Sequence, residues 1–387
     1  MKDFVFHIPT EIYFGKNAQA HVGELCGKYG SRVLILYGSP RIEHNGLLDE
    51  IEDQLKIPGV TGIRSAGVSE NTSLHFVRAA IKKARENQIQ MLLAVGGGSV
   101  VDTAKAVSIG ICAKQDIWDL YEGKAVPEYA VSVGVILTAA ATASEANPVS
   151  VLMNDDNGHK IAFRHPLLYP SFALLNPELT FTVPAIQTSI GSIDIFAHAF
   201  ERYFHKEQKS ILRDKLCTAI MQTVIEVLPY VLKHPNDYEG RSQLMWAATM
   251  AHSDMIGTEG VYACHQMSHV LTQEYHLSHG EALAILMPAW CKYMLPKHCC
   301  EFATFATDVW QVKNIGQGDE KIAEEGLFRF QKFISDCGLA VTLREAGIQN
   351  MDCKKLVKLL FENKSFIGEA FEPVDAGAAG VIFEMAR

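Results

Sequence analysis

MLLAVGGGSVVDTAKAVSIG, residues 91–110, decides how the first half of the chain reads. Met91 to Val95 is a short apolar run of the kind that forms a strand buried on both faces. It runs directly into Gly96, Gly97, Gly98 and Ser99, after which Ala104, Val107 and Ile111 recur at helical spacing. Three glycines let a backbone approach a bulky anion and reach dihedrals that other residues avoid. The start of the following helix offers unpaired N–H groups and the positive end of a dipole, which suits a diphosphate. Ser99 with Asp102 three residues on has the form of an N-cap arrangement. The segment is neither the GxGxxG fingerprint nor GxxxxGK[ST], and by itself GGGS is also an ordinary tight turn.

Working outward, RVLILY (Arg32 to Tyr37), closed by GSP, and VSVGVIL (Val131 to Leu137) read as further buried strands. Gly46 to Leu55 has helical spacing, and another helix begins near Asn71-Thr72. Strand–helix–strand order with short connections predicts a right-handed parallel sheet. Thr138, Thr142 and Ser144 follow the Val131–Leu137 strand, where small hydroxyl residues suit either a ligand crevice or a packing seam. Lys160, in DNGHKIAF, suits either a phosphate contact or a solvated hairpin turn. After Val183-Pro184 the strands stop, and amphipathic helices follow over 188–203, 212–232, 241–256, 260–275 and 280–294, with Pro184, Pro229, Pro235, Pro288 and Pro296 punctuating them. The fold class is therefore a Rossmann-like α/β domain, residues 1–183, followed by an all-α domain, residues 184–387.

Composition narrows the function classes. The 35 basic and 44 acidic side chains give a net charge of −9 without a basic cluster, which argues against nucleic acid as a partner. The longest uncharged stretch, Tyr129 to Ser144, is too short to span a bilayer, and MKDFVFHIPTEIYFG lacks the apolar core of a signal peptide. Nine cysteines at irregular spacings form no disulfide framework. A soluble cytoplasmic protein with no membrane partner is the expectation.

The second half carries a ligand pattern. Asp194 and His198 lie four apart in SIDIFAHAFERY and share a helix face, as do His265 and His269 in YACHQMSHVL. His279 precedes Gly280 at the entrance to the next helix. Three imidazoles and a carboxylate on adjacent helices meet the needs of a divalent transition metal. Their neighbours Ile193, Ile195, Phe196, Val270 and Leu271 are apolar, so burying these polar groups without a partner would be costly. Spacing alone leaves open which three or four bind. His252, His276 and His298 read as outside the ligand set, and Cys264 would point about 100° round the helix from His265.

GGGSVVDTAK, LTAAATASEAN, SIDIFAHAFE and CHQMSHVLTQEYHLSHGEALAILMP together resemble the iron-containing, or group III, metal-dependent alcohol dehydrogenases over essentially the whole chain. YGSPRIEHNG makes the likeness strongest to the branch of NADPH-dependent butanol dehydrogenases and aldehyde reductases. The resemblance implies a nucleotide domain and a metal domain with the site in the cleft between them. It implies Asp194, His198, His265 and His279 as ligands of one divalent metal, and His269 as the histidine near substrate and nicotinamide. It further implies Gly96, Gly97, Gly98, Ser99 and Asp102 as the pyrophosphate loop, with Thr138, Thr142 and Lys160 as further cofactor contacts. Two positions depart from the family pattern: Ala143 stands where Gly is common, and Val100 where Pro is.

Such a metal would act as a Lewis acid on an alcohol or aldehyde oxygen, with His269 passing a proton to solvent and a nicotinamide carrying hydride. Nitrogen and carboxylate donors suit Fe(II) or Zn, with Ni and Mn as alternatives. No acid stands at the mouth of the Arg32–Tyr37 strand, while Gly38 leaves room for a 2′-phosphate, and Ser39 and Arg41 can bind it, so NADP(H) is expected over NAD(H). The substrate expected is a short primary alcohol or aldehyde, and the assembly a homodimer. The alternatives are a glycerol-dehydrogenase-like polyol oxidoreductase, a metallohydrolase and a non-catalytic metal-binding protein.

Overall fold

Two stretches of chain pack by opposite rules in the computed structural model, which describes residues 5–38, 40–206, 210–257 and 260–387. Val5–Thr182 forms one compact unit and Val183–Arg387 the core of another. The strands of the first unit are β1 (Glu11–Phe14), β2 (Arg32–Tyr37), β3 (Thr61–Ser65), β4 (Met91–Gly96), β5 (Ser132–Leu137), β6 (Val149–Met153), β7 (Lys160–Arg164) and β8 (Phe172–Leu175). Six of them make an all-parallel sheet in the order β1-β8-β5-β4-β2-β3, while β6 and β7 form a separate antiparallel hairpin. The helices are α1 (Val22–Tyr29), α2 (Pro40–His44), α3 (Leu47–Lys56), α4 (Leu74–Glu86), α5 (Gly98–Cys112) and α6 (Ile117–Tyr121).

The central strands form because their side chains are apolar on both faces: every residue of β4 and β8 is buried, as is all of β2 after Arg32. From β2 the chain continues to β3 on one side, and from β4 to β5 on the other, so strand order reverses between these two neighbours. In an open parallel sheet, that reversal opens a crevice beyond the carboxyl ends of the strands. The glycine run after β4 and Gly38 after β2 both lie there. Helix α4 starts later than its sequence indicates: its N-cap is Ser73, whose hydroxyl accepts from the Phe76 N–H at 3.2 Å, and not Asn71 or Thr72.

Gly134 of β5 sits opposite Phe172 of β8, and a Cβ built there would stand 2.3 Å from the Phe172 ring and 2.8 Å from the Met91 methyl. The buried ring occupies the space that glycine leaves, so the two residues form one packing unit. Gly134→Ala is expected to destabilise this unit by about 1–3 kcal/mol through overpacking. Phe172→Leu in the same chain should recover part of that loss. Urea denaturation of the two single variants and the double variant measures the coupling, and strict additivity would refute it.

The second unit is helical: α7 (Ala185–Tyr203), α8 (Ile211–Lys233), α9 (Tyr238–His252), α10 (Ala263–Tyr275), α11 (His279–Met294), α12 (Cys299–Asp308), α13 (Asp319–Asp336), α14 (Cys353–Leu360) and α15 (Ala376–Met385). Its core is aromatic: Phe200 lies 5.6 Å from both Trp290 and Phe305 and 5.9 Å from Phe330, ring centre to ring centre. Pro229 and Pro288 lie inside α8 and α11 instead of punctuating them, so packing overrides the lost backbone bond. Helix α9 ends at His252, four residues before the expected Ile256, because Asp254 turns left-handed at φ 67°. By length and composition α8 is the one helix among the described residues that could cross a membrane; it packs against α7 and α9.

Candidate metal centre and nucleotide cradle

Asp194 and His198 are both on the buried face of α7, one turn apart. His265 lies on α10, and His279 is the first residue of α11. A capping box fixes that helix start, with the Glu281 carboxylate accepting from the Ser278 N–H at 3.0 Å and from its hydroxyl at 2.6 Å. The next residue, Gly280, permits the close approach of α11 to α7. A Cβ there would stand 2.3 Å from the Ile190 carbonyl oxygen.

These elements converge on one atom. Asp194 Oδ1 lies 3.5 Å from His198 Nε2, 3.6 Å from His265 Nε2 and 3.6 Å from His279 Nε2. The donor atoms of Asp194, His198 and His265 all fall within 4.8 Å of one another. A tetrahedral metal with bonds of about 2.1 Å separates its ligand atoms by about 3.4 Å. Asp194 Oδ1 and His265 Nε2 are buried and have no partner within hydrogen-bond distance among the described residues.

The outer hydrogen bonds set the ring tautomers. His265 Nδ1 faces Glu201 Oε2, which accepts its proton, and the Cys264 N–H holds the other Glu201 oxygen at 2.7 Å. The Ser268 hydroxyl donates to the His265 carbonyl at 2.7 Å, so towards His279 Nδ1, 3.0 Å away, it is left to accept. In the neutral rings both Nε2 lone pairs therefore point at a carboxylate oxygen. Acceptors facing acceptors at this distance repel unless a cation or a proton lies between them. The residues fit a metal.

Titration behaviour follows from the same contacts. Burial pushes the His265 imidazole down, but Glu201 and Asp194 overcome it and hold the group up at about 9. Burial, with His252, His265, Arg202 and His279 around it, pushes His198 well below its usual value. His269 lies one turn beyond His265 on α10, half-buried, its ring centre 5.8 Å from that of His279. Burial also pushes the Cys264 thiol far above its usual range.

In the first unit, α5 starts without a side-chain cap, at Gly97. Ser99 is not the N-cap; its hydroxyl donates to the Glu70 carbonyl. The glycines bring this helix start against the residues after β5. A Cβ at Gly98 would stand 2.6 Å from Thr142 Oγ1, and one at Gly97 would stand 3.3 Å from the Ala139 methyl. The Thr138 N–H donates to the Gly96 carbonyl at 3.0 Å. An uncapped helix start behind a bare glycine backbone, at the strand-order reversal, fits a dinucleotide diphosphate.

Other residues of the expected set have contacts within the chain itself. Asp102 is turned inward: one oxygen accepts from the Ser144 hydroxyl at 2.6 Å, the other from the Val151 N–H at 3.0 Å. Lys160 begins β7 and reaches Asn71 Oδ1 at 3.3 Å. Gly38 is required by the chain itself, since a Cβ there would lie 2.4 Å from the Val68 carbonyl oxygen. Arg41 donates to the Thr182 carbonyl, and Ser39 lies outside the described residues. Ala143 takes the left-handed conformation at φ 50°, which is why the family pattern has glycine there.

Sequence reading missed Glu201 and Ser268, which orient the ligand rings, and the fully buried Lys105. Its ammonium donates to Ser144 Oγ, Asn147 O and Val149 O at 2.7–2.9 Å, and burial lowers its pKa to about 8. Glu201 was discoverable: it lies seven residues after Asp194, two turns along the same apolar helix face.

Comparison with known proteins places these features. Residues 9–177 match the family of iron-containing alcohol dehydrogenases, and residues 188–376 match its C-terminal family. The chain belongs to the iron-containing alcohol dehydrogenase family. It is 36% identical to a probable NADH-dependent butanol dehydrogenase 2 of Bacillus subtilis, over 90% of each chain. It is 33% identical to the NADPH-dependent aldehyde reductase YqhD of Escherichia coli over 100% of both. The crystal structure of an NADH-dependent butanol dehydrogenase A from Thermotoga maritima superposes with a TM-score of 0.93 at 31% identity, covering 100% of this chain and 99% of that one. This family member is an NAD(P)-dependent oxidoreductase that works with a metal ion and a nicotinamide cofactor.

Two outcomes test the metal centre. A metal must displace the proton that Glu201 and Asp194 hold on His265, so the metal-bound form carries fewer protons. Zinc affinity of the stripped protein should therefore rise about tenfold per pH unit from pH 6.5 towards 9; a pH-independent affinity by chelator competition would contradict this. Gly280→Ala should force α11 from α7 and weaken zinc binding about tenfold or more, with the helical circular dichroism signal retained.

Proposed function

We propose that the chain interconverts short primary alcohols and aldehydes, taking hydride from or giving it to NADP(H), at a divalent Fe(II) or Zn held by Asp194, His198, His265 and His279. The observation that carries this reading is the single Asp194 oxygen placed 3.5–3.6 Å from three imidazole nitrogens. When bound, the metal supplies Lewis acidity to the substrate oxygen, and the nicotinamide supplies or accepts hydride. Asp194 contributes the negative charge of the ligand set, and Glu201 and Ser268 fix the rings with their lone pairs inward. His269, off the ligand set and half-buried, passes a proton between the substrate oxygen and solvent. The uncapped start of α5 and the glycines before it hold the diphosphate, with Thr138, Thr142 and Lys160 beside it. Asp102, whose carboxylate accepts from Ser144 and Val151, belongs to the same diphosphate-binding segment.

Relatives named as butanol dehydrogenases and an aldehyde reductase support the substrate class. Butanal reduction should give a higher kcat/KM than oxidation of 1-butanol or glycerol, or reduction of a 2-oxo acid, followed by nicotinamide absorbance. His265→Ala should lose both its metal, by elemental analysis, and this activity. Full metal occupancy in that variant would defeat the ligand assignment, and preference for glycerol or the 2-oxo acid would defeat the substrate assignment.

Preference for NADP(H) rests on the mouth of β2. Arg41 stands in the first turn after it, and Glu43, in the same short helix, accepts from the Tyr37 hydroxyl at 2.7 Å. The relatives carry both NADH and NADPH in their names. A Gly38→Asp exchange is a poor probe, because any side chain there strikes the Val68 carbonyl. Arg41→Glu is the cleaner test. It should raise KM for NADPH about tenfold or more by loss of a charge-assisted bond, and change KM for NADH far less. Equal or better use of NADH by the wild type sinks the assignment.

A further inference from the structure

Each metal-ligating imidazole ordinarily gives its second nitrogen to a carboxylate, carbonyl or water that fixes the ring. His265 has Glu201 and His279 has Ser268. His198 differs: its Nδ1 is buried and has no hydrogen-bond partner among the described residues. Its ring is instead stacked on that of His252, with centres 3.9 Å apart and planes 28° from parallel. The His265 ring stands 4.4 Å from it.

The placement of His252 is built into the fold. It is the last residue of α9, and the left-handed Asp254 ends the helix immediately after it. The turn beyond is fastened by Arg202, 1% exposed, one helical turn after His198 on α7. Its guanidinium donates to the His198 carbonyl at 3.1 Å and to the Gly257 carbonyl at 3.0 Å, and lies 5.2 Å from the centre of the Tyr262 ring. Arg202 therefore ties the backbone that carries His198 to the turn that aims His252. Rings in face-to-face contact at 3.9 Å restrict each other's rotation.

We infer that His252 is a positioning residue of the metal centre: the face of its ring holds the His198 imidazole with Nε2 towards Asp194. The inference rests on the proposed metal site. It predicts that a flat ring is what position 252 needs, and that the imidazole nitrogens there are dispensable.

The experiment strips the full-length protein of metal and titrates it with Zn(II) against a chelator and with Co(II) under visible absorption. His252→Phe keeps a ring, and His252→Leu keeps bulk without one. The leucine variant should bind zinc about tenfold more weakly and show altered Co(II) bands, while the phenylalanine variant stays within about threefold of wild type with unchanged bands. Wild-type affinity and spectrum in the leucine variant overturn the inference. Equal weakening in both variants also overturns it, because a ring nitrogen would then be doing the holding. Melting of the metal-free proteins establishes that each variant is folded, and His252→Gln replaces leucine if that variant is not. His265→Ala separates the two readings. If it retains the metal, the site assignment itself fails; if it loses the metal while leucine at 252 does not, only the role of His252 fails.

Discussion

A buried carboxylate oxygen ringed by imidazole nitrogens is the constraint on which the helical unit depends. Asp194 is 3% exposed, and Oδ1 has three imidazole nitrogens around it at 3.5–3.6 Å but no hydrogen bond among the described residues. An ionised carboxylate in such a place is costly unless a cation compensates it. The arrangement is therefore a demand for positive charge, met by a divalent ion or, without one, by protons. The raised pKa of His265 is the second answer to the same demand. On the proposed assignment, metal and protons compete for this centre.

That demand organises the helices. α7 contributes Asp194, His198, Glu201 and Arg202 from one buried face, so a single helix carries ligands, ring support and the anchor for the turn after α9. α10 and α11 each need only one ligand, and each is placed by backbone detail: Ser268 bonds back to the His265 carbonyl, and Gly280 lets α11 touch the backbone of α7. The costs are local. Tyr262, immediately before α10, is left-handed at φ 47°, as is Asp254 after α9. Non-glycine residues adopt that conformation where surrounding structure compels them, and both flank segments fastened to the metal centre.

How much of this the sequence showed depends on whether the signal was periodic. The β2 and β4 strands, the helix after Gly98 and the pairs Asp194/His198 and His265/His269 follow from runs and four-residue spacings, whereas His279 in place of His269 comes from the family resemblance; the structure gathers Asp194, His198, His265 and His279 round one carboxylate oxygen. β1 and β3 were not legible: they are short, and β3 reads TGIRS, with glycine and polar residues that edge positions tolerate. The supports Ser268 and Lys105 were not legible either, because their partners lie in other elements. Ser99 and Asp102 show the opposite failure. Their three-residue spacing has the form of a local cap, yet each bonds to a distant segment, Glu70 in one case and Ser144 with Val151 in the other. Spacing reports what shares a helix face, and is silent about what approaches it.

The two units also secure their sites by different physics, with different consequences for substitution. In the nucleotide unit the critical positions are those where a side chain has no room: Gly38 against Val68, Gly98 against Thr142, Gly134 against Phe172. Change there acts through volume and is unaffected by pH or salt. In the helical unit the critical positions are polar groups held in low dielectric, where Glu201 and Asp194 hold the His265 imidazole up and burial holds that of His198 down. Change there acts through electrostatics and responds to pH and to metal supply. Lys105 is the exception that joins both kinds within the first unit. Its buried ammonium holds Ser144, Asn147 and Val149 by hydrogen bonds, and Asn147 Nδ2 in turn holds the Thr142 carbonyl at 3.1 Å, so the left-handed Ala143 lies between two anchored neighbours. A four-carbon stem with a charged tip there replaces the conformational freedom that glycine would have given, so the strained alanine is retained by its anchored neighbours and not by its own preference.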